Sequence, residues 1–114
     1  MSSLRKTSLG LLLFILIPSI YAHELTSEME QRLTGNGKVY DFSFKDRFHS
    51  SVIKGIIESE VGVKIDISKE AYQNEAPSFV AKKLTYTQFL KQASDRLNLK
   101  AIQLDQNKIM LVPK

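Results

Sequence analysis

The hydrophobic pattern changes period once, sharply, near the middle of the chain. Tyr40, Phe42 and Phe44 alternate with Asp41 and Ser43, the period of two that puts one set of side chains on one face of a strand. Beyond this run, Phe48, Val52, Ile53, Ile56, Ile57 and Val61 recur at helical spacing and make one apolar stripe. The pattern predicts a strand over Lys38–Phe44 and a helix over Ser50–Val61. Ser50 or His49 is placed to cap its start, and Gly62 to end it in the left-handed conformation. Gly55, inside this helix, either admits a close neighbour or is simply tolerated.

The same succession returns further on. Val63, Ile65 and Ile67 alternate with Lys64 and Asp66, predicting a second strand. Ser68 to Tyr72 can form one helical turn, and Gln73 to Pro77 reads as a polar loop, with Ala76 held extended before Pro77. Ser78 to Leu84 is a third strand. Thr85 or Thr87 then caps a helix running to about Asn98, with Tyr86, Phe89, Leu90, Ala93 and Leu97 on its apolar face. Leu99–Leu104 and Lys108–Val112 make a hairpin around Asp105-Gln106-Asn107, with Asn107 suited to positive φ. The expected fold is α+β in βαββαββ order, two helices packed on small mixed sheets.

Ahead of this domain, Leu25, Met29 and Leu33 are spaced by four, and Gly35-Asn36-Gly37 is a breaker. A helix this short is marginal alone, so residues 23–37 are expected to be a flexible arm and linker before a domain at 38–114. At the N-terminus, Arg5 and Lys6 precede an apolar run from Leu9 to Ile17, and Ala22 closes a region suited to cleavage. That is the layout of a secretory signal peptide over residues 1–22, an uncleaved N-terminal anchor being the alternative. The expected location is the periplasm.

Composition narrows the chemistry. The formal charge of the 114-residue chain is +4, but two of its positive charges lie in the first 22 residues, leaving 14 basic against 12 acidic side chains. No concentrated basic face is evident, so a nucleic-acid partner is not expected. The absence of cysteine excludes a disulfide frame, a thiol nucleophile and a thiolate metal site. His23 and His49 belong to no ligand-spaced cluster, so no metal or cofactor is expected. Ser50 and Ser51 beside His49 lack an evident third orienting group. Glu58 and Glu60, two apart, read as a solvated flank. No catalytic residue is therefore assigned, and a domain of this size has little room for a small-molecule substrate. Phe42, Phe44, Phe48 and Phe89 read as core. Tyr40, Tyr72 and Tyr86, with polar tips, read as half-exposed candidates for partner binding. The adjacent Lys82 and Lys83 are further candidates at a strand edge.

The stretches YDFSFKDRFHSSVIKGIIESEVGVKIDIS and KLTYTQFLKQASDRLNLKAIQLDQNKIMLVP resemble the two halves of the short N-terminal (STN-like) domain of secretins and TonB-dependent transducers. The resemblance runs from Lys38 to Pro113. It departs from the family at Asp95-Arg96-Leu97-Asn98-Leu99, where a Gly-Thr-Gly turn is common. It implies a binding module with no catalytic residues. With no barrel or receptor plug after Lys114, the chain is similar to small periplasmic accessory proteins of bundle-forming or toxin-coregulated type IV pilus machines. The expected partner is then an outer-membrane secretin or another envelope-machine subunit, gripped by strand addition at Val63–Ile67 or Ser78–Leu84. The alternative is a periplasmic signalling domain of a TonB/anti-sigma system.

Overall fold

The computed structural model describes residues 24–114; the expected signal peptide, its cleavage site and His23 lie outside them. Two strand–helix–strand units interlock into an α+β domain. In the first unit, β1 (Tyr40–Phe44) leads through a two-residue β2 (Phe48–His49) into α2 (Ser50–Glu60), then β3 (Lys64–Ile67). In the second, β5 (Phe79–Leu84) leads into α3 (Tyr86–Arg96), followed by the hairpin β6 (Leu99–Asp105) and β7 (Lys108–Pro113). Each unit lends a strand to the other. β1 pairs antiparallel with β5, and β3 pairs parallel with β7, which completes a three-stranded sheet in the order β3-β7-β6.

Alternation and helical spacing account for the core. Phe42 is buried on β1 while Asp41 and Ser43 are exposed. Ile53 and Ile57 of α2, and Phe89, Leu90 and Ala93 of α3, are fully buried. α3 contacts both β5 of the first sheet and β6 of the second. Its Phe89 stacks on Phe42 with ring centroids 4.2 Å apart and meets Phe79 edge-on at 5.9 Å. Phe48 continues the series against Phe79 at 5.1 Å and Phe44 at 5.3 Å.

Several expectations are corrected. The arm before the domain is a helix, α1 (Ser27–Thr34), and it packs on α3. The Thr26 side chain caps it by accepting from the Met29 N–H, and Met29 and Leu33 are buried. Tertiary burial supplies what so short a helix lacks by itself. Thr87 does not cap α3. It lies inside the helix, where its hydroxyl donates to the Glu30 carbonyl at 2.9 Å and meets Thr34 Oγ1 at 2.7 Å. Thr85 is the cap, in a reciprocal pair with Gln88.

Phe48 precedes α2 rather than belonging to it. It pairs with Ala76 of β4 (Glu75–Ala76), so the stretch read as a polar loop contains a short strand. The helical turn between β3 and β4 falls at Ala71–Gln73. His49 is the N-cap residue of α2 but makes no side-chain cap bond, and the Ser50 hydroxyl is buried without a partner among the described residues. Asn107 is not at positive φ; its N–H donates to Asp105 Oδ1 at 2.8 Å, and this side-chain turn closes the hairpin instead. Gly62, at φ 82°, does end α2 in the left-handed region.

Gly55 is exposed, and a Cβ built on it meets nothing within 4 Å, so it is tolerated rather than required. Gly55→Ala is expected to raise stability by about 0.5–1 kcal/mol in denaturant unfolding, by removing backbone freedom from the unfolded chain.

Candidate functional site

The five residues singled out for partner binding separate into two places. Tyr40 and Tyr86 stack at 4.7 Å, half-buried, on the first sheet and the start of α3. Lys38 Nζ lies 5.5 Å from the Tyr40 ring centroid, and the Tyr86 hydroxyl donates to Glu60 Oε1 at 3.5 Å. Burial pushes Tyr86 up to about 12, with the Glu60 carboxylate adding to the shift. Lys82 and Lys83 join the same sheet. Between the pairs Tyr40↔Leu84 and Phe42↔Ala81, β1 has Asp41 alone where β5 has both lysines, so they form a bulge. Lys83 takes φ 59°, and its N–H donates to Asp41 Oδ1 at 3.0 Å. Tyr72 stands apart, 55% exposed on the Ala71–Gln73 turn, which contacts α2 and β7.

Glu75 lies beside His49, with His49 Nε2 3.3 Å from its Oε1, and Arg47 donates to the same oxygen from Nε and Nη2. The Ser50 hydroxyl makes no bond to this group, so the three do not form a nucleophile–base chain. Among the described residues, no three or more His, Asp or Glu side chains are placed to hold a metal ion.

The two strand edges expected to accept a partner are both obstructed. Glu58 is not a solvated flank. Its Oε2 accepts from the Ile65 N–H at 3.0 Å and from Lys54 Nζ at 2.9 Å, while Lys54 Nζ also donates to the Ile65 carbonyl at 2.7 Å. Both backbone groups of Ile65, in the middle of β3, are thus taken by one turn of α2. The Ile65 N–H, then Lys54, hold the Glu58 carboxyl below its ordinary value. On β5, the Lys82–Lys83 bulge breaks the edge at one end, and Arg96 Nε binds the Ser78 carbonyl at the other.

The edge of β6 differs, and residue identities did not point to it. Lys64 N–H donates to the Asn107 carbonyl and Ser68 N–H to the Leu111 carbonyl, so the odd-numbered residues of β7 face β3 and the even-numbered ones face β6. Through the β6–β7 register, Lys100 and Ile102 turn their backbone groups to β7; Leu99, Ala101 and Gln103 turn theirs outward. The Ala101 N–H and carbonyl are thus directed away from β7, with no turn, loop or cap bond to either among the described residues. Beside this edge lies a solvent-open cleft of about 610 Å³, bordered by Leu25, α3 and β6. Its Lys91–Glu30 and Lys114–Asp95 pairs are closed. The Ser94 hydroxyl borders it, 2% exposed and without a partner among the described residues.

Comparison with protein-family models, curated proteins and solved structures finds no match.

Two titrations check these assignments. Glu58, with its carboxyl lowered when folded, contributes stability that is present above about pH 4.5 and is lost as pH falls through the lowered value. Glu58→Gln is expected to cost about 1 kcal/mol at neutral pH and to lack that acid-side loss; urea unfolding from pH 7 to pH 2 reads both. Tyr86 has the opposite sense: its contribution is complete below pH 10 and fades as the unfolded tyrosine ionises between pH 10 and about 12. Tyr86→Phe is expected to lack this alkaline loss, and absorbance of the native protein should show one phenol ionising near pH 12.

Proposed function

We propose that the chain is an exported, non-enzymatic protein-binding module, an accessory subunit of an outer-membrane secretin in a type IV pilus or secretion machine, acting in the periplasm. One observation supports this most. From Tyr40 to Pro113 the elements follow the order that the STN-like resemblance anticipates, strand–helix–strand twice with a closing hairpin, over the whole span that carries the resemblance. The polar-tipped aromatics also fit a binding role. Tyr40 and Tyr86 keep part of their rings in water beside Lys38, while Phe42, Phe48, Phe79 and Phe89 are in the core. The cleft beside β6 has the volume of a ligand site, but Lys91 and Lys114 are paired with Glu30 and Asp95, leaving Glu24 and Lys100 as its charged groups outside an ion pair among the described residues. Convergent polar groups fixing a small molecule are not what it offers.

The test is affinity purification of the tagged, exported chain after mild in-cell crosslinking. Recovery of a secretin or a neighbouring pilus or secretion subunit is expected. Recovery of an inner-membrane anti-sigma regulator would favour the signalling alternative, and recovery of no envelope component would count against both.

A further inference from the structure

Among the edges of β3, β5 and β6, that of β3 is closed at its centre by Lys54 and Glu58, and that of β5 is broken by a bulge and by Arg96. The stretch Leu99–Gln103 of β6 presents outward backbone groups beside a cleft, with a buried, unpartnered hydroxyl at its wall. An exposed edge is ordinarily blunted by side chains, bulges or charges, and an unpaired buried hydroxyl is a cost unless something meets it. The two sides of this edge differ in charge: Glu24 lies on the cleft side, outside any ion pair among the described residues, and the opposite sheet face carries an excess of lysine. Among the described residues, β6, β7 and β3 together place Lys100, Lys108 and Lys64 on the sheet face opposite the helices, with two carboxylates, Asp66 and, opposite Lys108 at the hairpin end, Asp105. Asp66 is 3.8 Å from Lys108. Lys64 and Lys100 have no carboxylate within ion-pair distance among the described residues.

We propose that β6 accepts, as a fourth strand, an extended segment of a partner protein with acidic side chains at alternate positions. Backbone groups of the segment bond Ala101 and its outward neighbours. Acidic side chains fall on the sheet face beside Lys100. The alternate side chains, small or hydroxyl-bearing, enter the cleft between Leu25 and Leu99 and reach Ser94. Charge complementarity selects a partner over a second copy of this chain. Self-pairing over Leu99–Gln103 would add Lys100 and Ile102 of a second copy to that face and set lysine near lysine, Asp105 lying beyond that stretch. The proposal rests on the binding-module reading and names the edge and chemistry that reading leaves open.

The probe is an end-capped peptide, Thr-Asp-Val-Asp-Thr-Asp-Val, and its control has Lys at each Asp position. Titrated into isotope-labelled protein, the acidic peptide is expected to shift the Ala101 and Gln103 amides and to slow Ala101 amide exchange. The control is expected to bind at least about fivefold more weakly, since like charge meets Lys100. Lys100→Glu should reverse that preference. Ala101→Pro removes the outward donor at an edge position where proline is tolerated, so it should keep the native spectrum and bind at least about tenfold more weakly. Equal binding of the two peptides, unchanged binding by Ala101→Pro, shifts centred on β3 or β5, or no saturation at millimolar peptide each overturns the proposal. Self-association that protects Ala101 without peptide does so too, by making a second copy the occupant. Running Ala101→Pro through the affinity purification separates the two levels. If the partner persists, the edge is wrong and the binding-module reading stands; if only the unaltered chain retains it, the edge is supported.

Discussion

The stack of Phe42 on Phe89 joins the two halves of the molecule. Phe42 belongs to the first strand–helix–strand unit and Phe89 to the second, and their rings are 4.2 Å apart and nearly parallel. Aromatic contacts of this kind are worth about 0.5–1.5 kcal/mol beyond the apolar area they bury. Here the stack also fixes an orientation. α3 must present Phe89 to β1 and β5 while its other contacts reach β6. Neither unit has a complete sheet alone, because β1 needs β5 and β3 needs β7. The domain therefore folds as one cooperative body, and a change at Phe89 is felt in both sheets.

Polar side chains finish what the core begins. Lys54 and Glu58, one helical turn apart, satisfy both backbone groups of Ile65 and at the same time close β3 to other chains. Asp41 performs a related task on the first sheet, holding the N–H of Lys83 where the bulge removes it from the ladder. Arg32 ties α1 to the far hairpin through the Gln106 carbonyl and Asn107 Oδ1. These bonds are local in energy, about 0.5–1.5 kcal/mol each. Together they determine which backbone groups remain available at the surface.

Much of the architecture was legible because two periods carry it. The alternation of Tyr40, Phe42 and Phe44 and the helical spacing of Ile53, Ile57, Phe89 and Ala93 placed the principal strand and both longer helices within a residue or two of where they stand. What escaped depended on distant partners. α1 is too short to be a helix on its own account, and Met29 and Leu33 become decisive only against α3. β2 and β4 are two residues each, below the length at which a period can be read. Glu58 looked solvated because Ile65 is seven residues away in sequence and belongs to another element. The i,i+4 spacing of Lys54 and Glu58 was the available signal. The candidate tyrosines were placed correctly as half-exposed or exposed, yet only Tyr40 and Tyr86 came together. The open edge of β6 had no local mark at all, since openness follows from the strand order and not from any residue of the strand.

That edge also has ends, and they limit what can lie along it. Gln103 Oε1 accepts from the Thr26 N–H at 2.8 Å, and Gln103 Nε2 donates to the Asp105 carbonyl at 3.0 Å. The start of α1 is therefore anchored against β6 where the outward-facing run stops. At the other end, the Lys114 N–H binds the Asn98 carbonyl on the β7 side, and the Lys114 side chain reaches Asp95 across the cleft wall, where Leu99 begins the strand. The free length is about five residues, roughly 17 Å of extended chain at about 3.4 Å per residue, comparable with an ordinary strand. A window of this size favours recognition by a few backbone bonds and a few alternating side chains over a broad interface. Most of the discrimination must then come from the side chains on its two faces: charge at Lys100 on one, and fit beside Ser94 on the other.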